Sequence, residues 1–194
     1  MRKLILSIQT SLDGFIEGPD GDMSWVPTQD DELWDDLFNM LEDVDLFVMG
    51  RGMYKDYRNY WVNALTDPKA TPNEVKYARL ADRTPHIVFS KTLHDPLWAN
   101  TTVLPGSIVD TIRHLKQQSG KSIQIVGGAQ FATTLMNSGL VDEYRLNILP
   151  IMVTKGKSIY RDLTAQRPLR LLTSHITKAG VIIARYVPSL PYPA

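Results

Sequence analysis

The chain has 194 residues, 21 Lys and Arg against 21 Asp and Glu, and no Cys. A chain of this length buries roughly 70% of its unfolded surface and needs no covalent staples. Without thiols there are no disulfides, zinc–thiolate sites, iron–sulfur clusters or Cys nucleophile, and the balanced charge lacks the basic excess of a nucleic-acid binder.

Arg2 and Lys3 precede an apolar run over residues 4–8 that is too short for a signal peptide. No stretch reaches the apolar length of a membrane span. The expectation is a cytoplasmic protein with one domain over residues 1–194. Residues 4–10 read as a strand, followed by a loop holding Gly14, Gly18, Pro19 and Gly21. Over 29–42, Leu33, Trp34, Leu37, Phe38 and Leu41 recur at helical spacing. Residues 45–49 form a short buried strand, and Gly50 opens a loop and a helix through Tyr54 and Tyr57. A Thr- and Pro-containing loop spans 63–73, before a short helix over 74–81. Strands follow at 86–90 and 103–104, then a helix over 108–118 stopped by Gly120, as Gly often does. A strand at 123–126 leads to a helix over 131–136 that Gly139 ends. Residues 142–149 form a further strand. Two last strands, 169–177 and 181–187, meet at Lys178-Ala179-Gly180, a hairpin signal. Strand–helix alternation closed by an antiparallel hairpin predicts an α/β fold: a mixed, mainly parallel sheet with helices on both faces.

Three motifs fall where a strand ends, the edge at which open α/β sheets bind ligands. Gly127-Gly128 ends one strand and opens a helix, so backbone N–H groups with no Cβ in the way face a pyrophosphate. Equally, Gly-Gly reads as a tight strand–helix turn, and it lacks the three spaced glycines of a Rossmann fingerprint. Gly50-Arg51 supplies a close backbone turn and a planar guanidinium for phosphate. Ser90-Lys91 adds a hydroxyl and a point charge at the next strand end. Two cations beside the Gly-Gly turn favour NADPH over NADH.

Thr28 is placed to cap the helix that begins near Gln29, with Asp31 three residues on. From Asp30, steps of 3, 4, 7 and 11 reach Leu33, Trp34, Leu37 and Leu41, which puts Asp30 on the buried stripe and Asp31 near its edge. A carboxylate against an apolar wall handles protons readily. The alternative is that these acids simply suit the helix dipole. None of His86, His94, His114 and His175 has metal-ligand spacing, so no metal is expected. Trp25, Trp34, Tyr54, Tyr57 and Trp61 read mostly as core, with one or two available to line a flat pocket.

Together, Ser11-Leu12-Asp13-Gly14, Val48-Met49-Gly50-Arg51, Ile125-Val126-Gly127-Gly128-Ala129 and Leu140-Val141-Asp142-Glu143 resemble the dihydrofolate reductase superfamily. The match is closer to the branch containing the C-terminal reductase domain of the bifunctional riboflavin-biosynthesis protein, and it runs nearly the whole chain. The resemblance implies a three-layer fold and NADPH as cofactor. It places Gln9, Thr10, Asp13, Gly14 and Ile16 beside the nicotinamide, and Gly50 and Arg51 on phosphate. Ser90 and Lys91 would contact the adenosine phosphate, Gly127, Gly128, Ala129 and Gln130 would form the Gly-Gly turn, and Asp30 or Asp31 would be the functional acid. It also implies a homodimer and a small heterocyclic substrate, pyrimidine or pterin-like, with 5-amino-6-(5-phosphoribosylamino)uracil reduction as one form of the activity. That branch commonly carries Lys on the first strand where this chain has Ser7, so ribose-phosphate recognition does not carry across with the motifs. A different class of reading is a nucleotide-binding protein that keeps the fold without turnover.

Overall fold

The first strand sets the pattern for the whole sheet. In a strand, side chains alternate between faces: Leu4, Leu6 and Ile8 enter one apolar cluster and Ile5 enters another. The computed structural model describes residues 1–94, 96 and 98–189. Its strands are β1 (Leu4–Ser11), β2 (Phe15–Glu17), β3 (Val44–Gly50), β4 (His86–Phe89), β5 (Thr101–Leu104), β6 (Ser122–Gly127), β7 (Glu143–Leu149), β8 (Lys157–Ser158), β9 (Leu169–Ile176) and β10 (Ile182–Pro188). Its helices are α1 (Asp31–Leu41), α2 (Arg51–Ala64), α3 (Pro72–Arg83), α4 (Ile108–Gln117) and α5 (Ala129–Asn137).

Eight strands form one sheet in the order β5-β4-β3-β6-β1-β7-β10-β9. The six strands from β5 to β7 in that order run parallel, and β10 and β9 close the sheet as an antiparallel hairpin. This is the mixed α/β architecture with a C-terminal hairpin that the alternation predicts. β2 and β8 pair separately.

Helices cover both faces. Phe38 and Leu41 of α1, Tyr54 and Tyr57 of α2, and Tyr77 and Ala81 of α3 pack against Ile5, Phe47 and Met49. Ile112 of α4 and Phe131, Ala132 and Leu135 of α5 pack on the other side against Leu4, Leu6 and Ile125. The first of these cores is aromatic, and His86 is sealed inside it. The His86 ring stacks on Trp98 (centroids 4.9 Å) and meets Phe47 edge-on (5.2 Å). Neither of its ring nitrogens has a hydrogen-bond partner. Burial drives its pKa down to about 4.

Helix starts fall into two kinds. Thr71 and Glu74 form a reciprocal capping box at α3, Ser107 caps α4, and Asp30 caps α1. α2 and α5 start instead at Gly50 and Gly128, with no side-chain cap and no acid in the first turn. On the final hairpin, Leu171, Ile176 and Ile182 are exposed. No helix among the described residues is long and apolar enough to cross a membrane.

Candidate active site

β3, β4, β6, β1 and β7 all end at one edge. Met49 pairs with Gly127, so the Gly50-Arg51 and Gly127-Gly128 turns stand on neighbouring strands. The pairing slips between Val48 and Met49, an irregularity common where a sheet aims a site. From these two tips the chain departs to opposite faces, α2 to one and α5 to the other. That divergence is a topological switch point, where open α/β sheets hold ligands.

Local backbone explains the glycines. Gly127 has φ +141° and Gly128 +80°. A Cβ on Gly127 would stand 2.6 Å from Met53 Sδ, so another residue would displace the Met53 side chain and strain a backbone already at positive φ. Beyond them, Ala129 and Gln130 begin α5 with free N–H groups, and Arg51 begins α2 in the same way. One strand further, Gly50 pairs with Phe89, which brings Ser90 and Lys91 alongside. Arg51 and Lys91 are exposed and form no ion pair among the described residues. Ser90 is buried, and its Oγ accepts from the N–H groups of Thr92 and Leu93, which holds the turn that presents Lys91.

The residues after β1 separate. Gln9 and Thr10 take opposite faces, with Thr10 buried and Gln9 on the α1 side. Ile16 packs into the core on the α4/α5 side. Asp13 is occupied as a latch. Its carboxylate accepts from the Ser11 hydroxyl and from the N–H groups of Val153 and Thr154. The Ser11 bond is the largest influence holding its pKa below the usual aspartate value. Gly14 closes the turn at φ +84°, with the Tyr160 ring beside it. Asp13 and Gly14 therefore shape the loop that borders the edge.

The start of α1 differs from the sequence reading. Thr28 is not its cap: the Thr28 carbonyl accepts the Trp34 indole N–H. Asp30 is not inside the helix on its buried stripe. It is the N-cap, where one carboxylate oxygen accepts from Glu32 and Leu33 N–H and the other from the Thr177 hydroxyl at 3.1 Å. A first-turn N–H satisfied by a side-chain carboxylate outcompetes the weaker hydroxyl cap two residues upstream. Asp30 thus joins α1 to the tip of the β9–β10 hairpin. Asp31 turns outward to the Asn73 side chain at 2.8 Å. Of the five aromatics, Trp34, Tyr54, Tyr57 and Trp61 belong to the aromatic core. Trp25 alone lies over the strand ends near Asp30, on Leu33, Leu149, Val181 and Ile183.

One group escaped the sequence reading. Glu143, Arg145 and Asn147 alternate along β7 with Tyr144, Leu146 and Ile148, and all three are buried beneath α1. A polar residue at every second position of a central strand was the available signal.

Residues 2–183 match the model of the RibD C-terminal domain. A Bacillus subtilis (strain 168) protein, uncharacterized YyaP, is 29% identical over 181 residues, 93% of this chain and 92% of that one. A second from the same organism, uncharacterized YwjB, is 28% identical over 88% of this chain and 89% of its own length. Among solved structures, a riboflavin-biosynthesis protein from Shewanella sp. PV-4 superposes with TM-score 0.74 at 20% identity, covering 98% of this chain and all of that one. The Thermotoga maritima deaminase/5-amino-6-(5-phosphoribosylamino)uracil reductase superposes with TM-score 0.69 at 16% identity, and the match spans 57% of that longer chain. With the eight-stranded order and the paired glycine turns already in place, the chain belongs to the RibD C-terminal domain family, a reductase-like family.

Proposed function

We propose that the protein is an NADPH-dependent reductase that passes a hydride to a C=N or related carbon of a small pyrimidine- or pterin-like heterocycle. One observation carries the reading. Two neighbouring strand ends turn on glycine into uncapped helices on opposite faces, with unpaired Arg51 and Lys91 beside them. Uncapped helix starts and free cations suit pyrophosphate and an additional phosphate. The nicotinamide cofactor would supply the hydride, and the protein's work is alignment and exclusion of water. Gly50, Arg51 and Gly127 to Gln130 would hold pyrophosphate, and Ser90 and Lys91 would hold the adenosine phosphate. Gln9 and the Asp13-Gly14 loop would border the reacting ring. Asp30, fixed by three donors, would orient an N–H of the heterocycle at the α1 start, against the wall formed by Trp25 and Leu33. Asp31, turned to the surface, has no part in this arrangement.

Titrating the purified protein with NADPH and NADH, followed by nicotinamide fluorescence and Trp quenching, tests the assignment. NADPH should bind at least about tenfold more tightly, since one charge-assisted phosphate contact contributes that much. Equal affinity would remove the role of Ser90 and Lys91 at the adenosine phosphate, and no binding of either would remove the cofactor.

We also propose a homodimer built on the hairpin face, where Leu171, Ile176 and Ile182 lie exposed. Contiguous exposed apolar surface of this kind marks an interface. Sedimentation of the wild type and of an Ile176→Lys variant checks it: the variant should sediment as a monomer.

A further inference from the structure

β7 turns a polar row toward α1. Glu143, Arg145 and Asn147 stand at two-residue spacing, with Ser7 and Gln9 of β1 beside Arg145 and Asn147. On the other side, Arg185 and Ile183 of β10 take the same two positions. Asn147 is only 7% exposed. Among the described residues its Oδ1 has no hydrogen-bond partner, and neither has Nη1 of Arg145. Native folds seldom leave buried polar atoms unmatched, and each such atom asks for an explanation. Here one unmatched acceptor and one unmatched donor lie on the same face of one strand. The row climbs toward the Asp30 end: Asn147 is two residues from Leu149, which packs with Leu33 and Ile183 beneath Trp25.

The charges around this row are already engaged. Arg145 Nε binds Glu143 at 2.7 Å, and Arg185 binds Asp36 of α1 at 2.5 Å. Above them, Asp30 holds the Thr177 hydroxyl and Glu32 accepts the Lys178 N–H. Asp30, Glu32, Asp36 and Glu143 make four carboxylates, against four cations in Arg145, Arg185, the exposed Lys178 and Lys3, whose Nζ lies 3.7 Å from Glu143. An entering phosphate dianion would find no net positive charge and no free guanidinium, which disfavours it. Both guanidiniums of this half are engaged, whereas Arg51 on the other half forms no ion pair among the described residues.

Resting on the reductase reading, we infer that the substrate is an unphosphorylated, uncharged flat heterocycle carrying both an N–H and a carbonyl, and that Asn147 selects it. The carboxamide oxygen takes the ring N–H, and Arg145 Nη1 is the donor available to its carbonyl. A site built to hydrogen-bond such an edge rejects analogues that leave its groups unpaired.

The test uses two probes that differ only in a phosphate, 5-amino-6-ribosylaminouracil and its 5′-phosphate, titrated calorimetrically into NADPH-loaded protein. The wild type should bind the unphosphorylated probe at least tenfold more tightly. Asn147→Leu, close in shape to Asn, should lose about that factor while its NADPH affinity stays unchanged. If the Leu variant melts early, Asn147→Ser makes the same comparison. Equal or tighter binding of the phosphate overturns the inference. So does unchanged binding in the Asn147 variants, the result expected if the carboxamide merely holds a buried water. NADPH binding with neither probe bound overturns the substrate class but leaves the reductase reading standing. Failure to bind NADPH overturns the reductase reading and this inference with it.

Discussion

The two halves of the strand-end edge are built on opposite rules. On the β3–β4–β6 half, helix starts are bare, glycines stand where a side chain would intrude, and the cations are free. On the β1–β7–β10 half, the α1 start is capped by Asp30, and the guanidiniums of Arg145 and Arg185 are matched by carboxylates. The first half has satisfied nothing in advance and is suited to an anion that arrives. The second has satisfied nearly everything in advance and leaves two polar atoms open. On the proposed reading, one edge would hold a highly charged cofactor and a neutral partner side by side without exchanging them.

The contrast breaks most directly at the cations. Replacing Arg51 and Lys91 together by Ala should weaken NADPH about a hundredfold, at two charged contacts of about 1.5 kcal/mol each, and NADH only about tenfold, through the loss of Arg51 at the pyrophosphate. Parallel titrations at low and moderate salt read both numbers, and an equal loss for the two cofactors would falsify the phosphate assignment. A comparable effect, away from both halves, concerns acid. The folded pKa of His86, about 4, lies below the ordinary value of 6.5. The stability tied to its neutral form is therefore complete above pH 6.5 and is lost as pH falls toward 4. The total is of order 3 kcal/mol. In urea melts, His86→Phe should flatten that acid limb, separating a failing core from a failing site when activity drops in acid.

At Asp30 the expected effects are smaller and split. Asn caps a helix as well as Asp does, so Asp30→Asn should keep the melting temperature within a few degrees while kcat falls about tenfold or more. Asp30→Ala should also cost about 1 kcal/mol of stability. A kcat that survives both changes would leave Asp30 as a cap alone. Asp31→Ala should do least, under about 0.5 kcal/mol for a surface contact, with turnover intact; equal damage from the two positions would erase the distinction between them.

Most of the sheet was legible because it is written in short-range patterns: apolar runs, helical spacing and glycine stops predicted each long element to within a few residues. The expected loop over 63–73 is shorter in the structure, since α2 continues to Ala64 and a Thr71–Glu74 capping box starts α3 at Pro72. β2 and β8 were not legible. Three and two residues carry no period, and only their pairing across the fold makes them strands. The α1 start was misplaced for a related reason. Thr28 and Asp30 both offer cap chemistry, and the deciding partner, Thr177, is 147 residues away. Asn147 was visible as an alternating polar residue, but whether that face met water or α1 depended on the layer above it. The glycine turns could be read because their cause is local, a backbone conformation that other residues adopt only at a cost.

The central position of β1 has a consequence for how the chain is made. Its neighbours are β6, where Leu4 meets Ile123, and β7, where Ile5 meets Glu143. During synthesis the first strand leaves the ribosome with neither partner in existence. At roughly 5–20 residues per second it waits about 6–25 seconds for them. For that interval Leu4, Ile5, Leu6 and Ile8 form an unpaired apolar strand, which makes this segment, rather than any part of the finished surface, the one most in need of a chaperone.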